Sequence, residues 1–195
     1  MDTHESVDSR VRRDPRERLL DTAYELFSRR GVRGVGIDEV IVHASVAKAT
    51  LYAHFPSKDD LVLAFLERRE QRWTLAFLAT DARRRGTTPE EQLLAIFDAL
   101  DDWFRRDDFE GCSFIKMLLE MGAEHAAGRA SVHYLDNVRS IVQSLAQEAG
   151  LDDTEEFARS CQLLMEGSII AAAAGDADAA QRGKAMAHTL IDRFR

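Results

Sequence analysis

Apolar residues recur at helical spacing along most of this 195-residue chain, and no stretch has the alternating pattern that predicts a β-strand. The first helical pattern follows Asp14-Pro15-Arg16-Glu17, which supplies an N-cap, a proline at the first helical position and a glutamate in the first turn. Thr88-Pro89-Glu90-Glu91 repeats this start, and Ser57 and Asp153 open two further helices. The predicted helix ends are glycines, at Gly31, Gly86, Gly128, Gly150 and Gly175.

These patterns predict an all-α fold of about nine helices. The expected helices span residues 15–30, 37–44, 48–54, 57–84, 88–106, 111–124, 130–149, 154–174 and 178–194. The first three are short, whereas the fourth would be roughly 40 Å long at about 1.5 Å per residue. The composition agrees, because the chain holds only 3 prolines and is 45% hydrophobic and 31% charged.

The distribution of charge changes the picture that the total gives. A net charge of −8 argues against a nucleic-acid partner, since phosphates attract positive charge. Residues 9–58, however, carry ten Lys or Arg against six Asp or Glu, a net charge of +4. Residues 59–195 carry 16 basic and 25 acidic residues, a net charge of −9. This asymmetry indicates a basic N-terminal segment that contacts nucleic acid and an acidic remainder that does not.

Several classes of protein are disfavoured. The longest apolar run, residues 169–174, is far shorter than the roughly 20 residues of a membrane span. The first ten residues lack the apolar core of an export signal, and the two cysteines lie far apart, so we expect a cytoplasmic protein without a membrane partner. No metal-ligand, phosphate-loop or catalytic motif is present, which predicts no cofactor, no metal and no enzyme activity.

Residues 36–55 fit two short helices joined by a tight turn. An apolar face of Ile37, Val40, Ile41, Ala44, Val46 and Leu51 leaves Lys48, Thr50, Tyr52 and His54 to point elsewhere. This is the pattern of a helix-turn-helix, whose second helix enters the major groove of DNA. Periodicity alone leaves an equal alternative, namely two surface helices of an ordinary bundle.

The residues themselves resemble the TetR/AcrR family of bacterial transcriptional regulators. The matching strings are residues 20–27 with Gly31, and residues 46–61, which contain the Leu-Tyr-x-His-Phe-x-x-Lys-x-x-Leu spacing typical of that family. The resemblance runs from Asp14 to about Arg72, and the remainder agrees in length and helix count. It implies a flexible tail at 1–11, a DNA-binding domain at 12–72 with its helix-turn-helix at about 35–54, and a ligand-binding and dimerisation domain at 73–195.

The resemblance also implies which residues contact operator DNA. Lys48, Tyr52 and His54 would meet phosphates, Thr50 would face base edges, and Lys58 would add a phosphate contact. The full expected set is Gly36, Ala47, Lys48, Ala49, Thr50, Tyr52, His54 and Lys58. Phe55 is assigned mainly to the core. The basic residues Arg10, Arg12, Arg13 and Arg16 would form either an arm for the minor groove or a solvated tail.

Three positions depart from the family pattern. Gly36 stands where the family usually has Thr or Ser, and Ala47 stands where it usually has Ser, so each change removes a helix cap. Ser45 replaces the customary glycine of the turn, which suits a left-handed backbone better.

Aromatic and methionine residues concentrate in the fourth to seventh predicted helices. Each one alone is explained by core packing, but together they would suit a pocket for a largely apolar effector, where the family binds its inducers. The expected pocket residues are Trp73, Phe77, Trp103, Phe114, Met117, Met121, Tyr134 and Asn137. Glu120 and Glu124 would favour a cationic or hydrogen-bonding effector if they turned inward. Their spacing from His125 and His133 is irregular, so a metal site is disfavoured, and Cys112 is interpreted as a packing residue.

The last two predicted helices carry apolar stripes and small residues that permit close helix approach. In the family these helices form a four-helix interface between two copies, so a homodimer is expected. The expected interface residues are Phe157, Cys161, Leu164, Met165, Ser168, Ile169, Ala172, Met186 and Leu190.

Taken together, these features favour a ligand-responsive regulator that represses transcription from a palindromic operator as a dimer and is released by a small-molecule inducer. Two other classes stay open at this point. One is a small helical enzyme with a lobe similar to a helix-turn-helix, and the other is a helical adaptor that binds only protein. Activation in place of repression depends on where the operator lies relative to the promoter.

Overall fold

The computed structural model describes residues 14–195, apart from the side chains of residues 75–77. The predicted tail at 1–11 and the arginines Arg10, Arg12 and Arg13 therefore lie outside the described residues. Within residues 14–195 there are ten α-helices and one π-helical segment, and no strand. The helices are α1 (Pro15–Arg30), α2 (Ile37–Ala44), α3 (Lys48–His54), α4 (Lys58–Arg69), the π-helical segment (Glu70–Ala79), α5 (Thr80–Arg85), α6 (Pro89–Phe104), α7 (Ser113–Met121), α8 (Ala126–Glu148), α9 (Thr154–Ala173) and α10 (Ala179–Arg193).

The all-α prediction is confirmed, and most predicted helices agree with the structure within two residues. The predicted fourth helix corresponds to α4, the π-helical segment and α5, which follow one another without a break. The predicted end at Gly128 is wrong, because α8 begins at Ala126 and runs through this glycine. A Cβ atom at Gly128 would lie 1.9 Å from the carbonyl oxygen of Gly122, so close packing against the preceding turn requires a glycine there.

Side chains cap three of the four helix starts that the sequence singled out. Asp14 accepts from the backbone N–H of Arg16 at 3.2 Å. Ser57 and Thr88 each form a reciprocal capping box with an acidic residue three positions later. Asp153 precedes α9 as predicted, but its backbone is left-handed, with φ 39°, and its side chain makes no cap bond.

Helices α1 to α4 form a small N-terminal unit. α1 packs against α2, α3 and α4, and its buried residues meet the inner faces of those helices. Phe65 of α4 packs edge-on against Tyr24 and Phe27 of α1, at ring-centroid distances of 5.5 and 5.7 Å. The guanidinium of Arg68 reaches back to Glu17 and Asp21 at 2.6 and 2.7 Å. These contacts hold α1 against α4, and α2 and α3 pack on α1 in turn.

The C-terminal helices form a bundle in which α6, α8, α9 and α10 pack on one another. Its centre contains Phe97, Phe114 and Phe157, all fully buried, and it is continuous with the core of the N-terminal unit. Gly183 of α10 lets this helix approach Ser168 and Phe97 closely. Among the described residues, none of the helices is both long and apolar enough to cross a membrane.

Candidate nucleic-acid interface and effector region

The helix-turn-helix at α2 and α3 is built by a turn at Ser45. This residue has φ 53° and ψ 50°, and its N–H donates to the carbonyl of Val42 at 3.1 Å. Val46 then donates to Ile41 at 3.2 Å, which closes the turn. The left-handed backbone at this position is the conformation for which a glycine is best suited, so the predicted conflict at Ser45 is present in the structure.

Most of the expected DNA-contacting residues lie on the surface of this unit. Gly36, Ala47, Lys48, Ala49 and His54 are exposed, Tyr52 is 44% exposed, and Thr50 is half-buried. Neither Gly36 nor Ala47 makes a side-chain cap bond, as their residue types predict. Phe55, in contrast, is 3% exposed and packs in the core. The second helix of the pair therefore presents a hydroxyl-bearing aromatic and basic groups to solvent.

Lys48 has a partner that the sequence reasoning missed. Its ammonium donates to the carboxylate of Asp38, in the first turn of α2, at 3.0 Å. This hydrogen bond and the charge of Asp38 raise the pKa of Lys48 above its ordinary value. Asp38 and Lys48 are ten positions apart in the sequence, and the turn at Ser45 brings them together. The sequence pattern alone does not predict this short distance.

Lys58 and Glu120 hold the turn between α1 and α2 from two sides. The Lys58 ammonium donates to the carbonyl of Val32 at 2.6 Å. The Glu120 carboxylate accepts from the backbone N–H groups of Val32, at 3.1 Å, and of Arg33. Glu120 thus connects α7 to the N-terminal unit and does not turn into a pocket, while Glu124 is exposed. The Lys58 ammonium keeps further N–H donors for a phosphate.

The expected pocket residues are mostly part of the packed core. Trp73, Trp103, Phe114 and Met117 are buried, and Met121 and Tyr134 are half-buried. Asn137 donates to Glu70 at 3.0 Å, and the side chain of Phe77 lies outside the described residues. The cavity beside Trp73 and Phe114 measures only about 20 Å³, far below the few hundred Å³ of a ligand site.

Trp73 and Trp103 also border a much larger cleft. It measures about 360 Å³ and lies between α1, the α4 end of the long helical stretch and the segment that joins α6 to α7. Its walls are aromatic and charged, whereas the expected pocket was largely apolar. The structure therefore brings two of the expected pocket residues to a cleft that the other described members of the set do not line.

The histidines and acids considered for a metal do not converge. His125 caps α8, where its Nδ1 accepts from the N–H of Ala127 at 3.2 Å, and its Nε2 lies 3.4 Å from Asp59. No group of three or more His, Cys, Asp or Glu suited to a metal ion occurs in residues 14–195. Cys112 and Cys161 are free and buried, and burial raises the pKa of Cys161 to about 12.

The expected dimer residues divide between the inside and the outside of the protomer. Phe157, Cys161, Met165, Ser168 and Ile169 are buried within the protomer, so these five face its own core. Leu164, Ala172 and Leu190 are half-buried, and Met186 is 58% exposed. Two residues outside the expected set, Leu163 and Ile170, are 71% and 59% exposed on α9. The expected stripe is thus corrected: α9 is apolar on two sides, and the buried stripe packs against the protomer's own helices.

Two comparisons with known sequences agree with this geometry. Residues 19–65 match the family model described as bacterial regulatory proteins, tetR family. The chain is 37% identical over 100 residues to the HTH-type transcriptional activator FasR of Mycolicibacterium smegmatis, covering 51% of this chain and 45% of FasR. It is 30% identical over 113 residues to the HTH-type transcriptional repressor NemR of Escherichia coli, covering 55% of this chain and 54% of NemR. Each match spans about half of the relative's length.

Solved structures match over nearly the whole chain. A TetR-family transcriptional regulator from Streptomyces coelicolor superposes with a TM-score of 0.84 at 28% identity, covering 92% of this chain and 95% of its own. A regulator from Streptomyces avermitilis gives a TM-score of 0.84 at 29% identity, with 93% and 98% covered. The likeness therefore extends beyond the helix-turn-helix to the C-terminal bundle.

Proposed function

We propose that this chain, which belongs to the TetR family of bacterial regulatory proteins, is a DNA-binding transcriptional repressor that binds a palindromic operator as a homodimer and is released by a small molecule. The relatives and solved structures to which it is similar are transcriptional regulators, so the expectation that it is not an enzyme is confirmed. The expected set from Gly36 to Lys58 remains our proposal for the residues that contact DNA.

The exposed side chains of α3 carry this proposal. Lys48, Tyr52 and His54 are exposed on α3, and the buried side chains of Leu51 and Phe55 anchor this helix in the core. An exposed tyrosine hydroxyl and a lysine are groups that bind phosphate oxygens, and a short exposed helix fits the major groove. A protein adaptor would not need a lysine, a tyrosine hydroxyl and a histidine exposed on one short helix, so this observation favours DNA over a protein partner.

The outward face of α9 and α10 supports the proposal of a homodimer. Leu163 and Ile170 of α9 and Met186 of α10 expose large apolar side chains, which a second copy would remove from water. Leu164 and Leu190 line an adjacent hollow of about 240 Å³ between the two helices, which would accept a partner's side chain. A single helix-turn-helix covers few base pairs, and two copies would read both halves of a palindrome.

The small molecule would act by binding the DNA-free geometry better than the DNA-bound one. The contact of Glu120 of α7 with the α1–α2 turn would supply a physical connection from the C-terminal helices to the N-terminal unit that contains α2 and α3. Among the relatives, NemR is named a repressor and FasR an activator. The direction of regulation by this chain would depend on where its operator lies relative to the promoter. We propose repression.

The proposal is tested with DNA from around the protein's own gene in an electrophoretic shift assay. The wild-type protein is expected to shift this DNA in the presence of excess unrelated competitor. Tyr52→Phe is expected to weaken binding by about fivefold or more, because the variant keeps the ring and loses the hydroxyl that would meet a phosphate.

Tyr134→Phe is the matched control, because it removes a hydroxyl from the half-buried Tyr134 of α8 in the C-terminal bundle. Its affinity for DNA should equal that of the wild type. Absence of any specific shift by the wild-type protein would contradict the assignment to DNA, and equal losses in both variants would contradict the role of Tyr52.

A further inference from the structure

The cleft beside Trp73 lies at the junction of the DNA-binding unit and the C-terminal bundle. Its volume of about 360 Å³ is within the range of small-molecule sites. α1 contributes Tyr24 and Ser28, the end of α4 contributes Arg69, and α6 contributes Trp103. The cleft thus has walls from both parts of the protein, and both tryptophans of the chain border it.

Arg69 is the arginine of this cleft that forms no ion pair within the described residues, and its charge acts only at longer range on Asp108, whose pKa it helps to lower. Its guanidinium donates to the hydroxyl of Tyr24 at 2.8 Å and stands over the rings of Tyr24, Trp73 and Trp103 at 5.6 to 5.9 Å from their centroids. Among the described residues, no carboxylate lies within ion-pair distance of it. The aromatic rings stabilise the charge and fix the plane of the fork, which leaves N–H donors for an acceptor that the protein does not supply.

The neighbouring arginines are already paired. Arg106 forms a two-point contact with Asp108 at 2.7 and 2.8 Å, and Arg29 lies 3.3 Å from Glu110. Arg72 lies 3.5 Å from Asp21 at the edge of the cleft. Within each of these pairs the two charges compensate each other. Glu25, an exposed residue of α1, is a further carboxylate in the lining. The positive charge that remains in the interior of the cleft is that of Arg69.

Two buried polar atoms in the same lining have no hydrogen-bond partner among the described residues. They are the indole Nε1 of Trp73 and the Oγ of Ser28. Trp73 is only 8% exposed. A buried donor without a partner costs free energy, and a ligand acceptor would remove that cost. Indole nitrogen is a donor only, and a hydroxyl donates as readily as it accepts, so both atoms suit an oxygen-bearing anion.

We propose that this cleft binds an aromatic carboxylate, whose oxygens meet Arg69 and the unpartnered donors of Trp73 and Ser28 while its ring packs against the tryptophans. Guanidinium and carboxylate match in a two-point, planar contact, and the adjacent rings supply an apolar wall. This inference deepens the proposed function, on which it rests for the link to DNA release, by naming the class of effector and its site. A cationic ligand is disfavoured, because the positive charge of Arg69 would repel it.

The position of the cleft gives the bound anion a way to change the DNA-binding unit. Tyr24 and Ser28 lie on the same helix, α1, that packs against α2 and α3. The carbonyl of Ser28 also accepts from Lys116 of α7 at 3.1 Å. A ligand that binds α1 and α6 together would stabilise one relative position of the two parts, and DNA would select another.

The test measures binding of phenylacetate by isothermal titration calorimetry and by intrinsic tryptophan fluorescence, in the absence of DNA. Phenylacetamide, which has the same shape and no charge, is the comparison ligand. We expect phenylacetate to bind about tenfold or more tightly than the amide and to change the fluorescence, because Trp73 and Trp103 both border the site.

Arg69→Met should reduce the affinity for phenylacetate to that for the amide, and Arg69→Lys, which keeps the charge without the fork, should lie between. Arg159→Met is the matched control, since Arg159 is exposed and pairs with Glu155 on α9. Trp73→Phe and Ser28→Ala should each weaken binding by about threefold or more through loss of one donor.

Equal affinity for acid and amide, unchanged binding in Arg69→Met, or no saturable response to phenylacetate would each overturn the inference. The proposed function is scored separately, by the binding of wild-type protein to DNA without any ligand. DNA binding without phenylacetate binding removes the inference alone. Phenylacetate binding without DNA binding removes the proposed function and leaves the anion site in place.

Discussion

At the scale of single residues, the exposure of the side chains of α3 and Phe55 was predicted well, and their partners were not. Tyr52 is exposed and Phe55 is buried, as helical spacing and resemblance predicted. The pairing of Lys48 with Asp38 was not predicted, because it depends on the angle between two short helices. The same is true of Glu120, whose carboxylate binds backbone groups nearly ninety positions away.

Asp38 is expected to weaken DNA binding. In free protein it holds the Lys48 ammonium at 3.0 Å, and on DNA its charge would face the phosphates. We expect Asp38→Asn to tighten binding by about threefold, with the larger gain at low salt. The measurement is fluorescence anisotropy of labelled operator at two salt concentrations.

Glu155→Gln provides the control, because it removes the same charge from an exposed pair with Arg159, on α9. That variant should bind DNA like the wild type. Weaker binding by Asp38→Asn would instead mean that Asp38 orients Lys48 for its contact.

The serine at position 45 is expected to lower the free energy of unfolding relative to a glycine at this turn. Its φ of 53° is left-handed, which costs a residue with a Cβ atom about 1 kcal/mol. Ser45→Gly should therefore raise the free energy of unfolding by about 0.5–1 kcal/mol in urea denaturation. Ala53→Gly, at an exposed position within α3, should lower it by about 1 kcal/mol. A loss of stability in Ser45→Gly would show that the serine hydroxyl stabilises the turn.

At the scale of helices, periodicity predicted where helices lie better than which side of them is buried. α9 has apolar residues on two sides, so the sequence alone did not separate the stripe that meets the protomer core from the one that faces outward. The structure assigns Phe157 and Met165 to the core and leaves Leu163 and Ile170 exposed. The π-helical segment was also predicted as ordinary helix, because its residue types do not differ from those of an α-helix.

Gly183 shows how close packing overrides helix propensity. A Cβ atom there would lie 2.4 Å from Ser168 Oγ and 2.8 Å from Phe97 Cε1. Alanine improves helix propensity by about 1 kcal/mol, but overpacking costs about 1–3 kcal/mol. Gly183→Ala is therefore expected to lower the free energy of unfolding by about 1 kcal/mol, measured by urea denaturation.

The addition of Ser168→Ala should restore part of that loss, since it removes the nearest contacting atom. Stabilisation by Gly183→Ala alone would mean that α10 moves away from α6 and α9 without cost.

At the scale of the whole molecule, the N-terminal unit and the C-terminal bundle share one continuous core, and Glu120 of α7 contacts the α1–α2 turn. The helix order and the basic N-terminal segment were predicted from the sequence, because local patterns determine both. The cleft beside Arg69 was not, since its walls come from residues between 24 and 113 of the chain, brought together by tertiary packing. The spacing of Arg69 and Trp73, four positions apart, was the only local sign of it.

Contact of α3 with DNA phosphates in two copies of the chain is tested most directly by the salt dependence of operator binding with Lys48→Ala. For a homodimer in which each Lys48 neutralises one phosphate, the slope of log K against log salt should become shallower by about 1.8, roughly 0.9 per contact. Arg159→Ala, which removes an exposed charge from α9, should leave the slope unchanged. A slope and an affinity in Lys48→Ala that both equal those of the wild type would contradict the account.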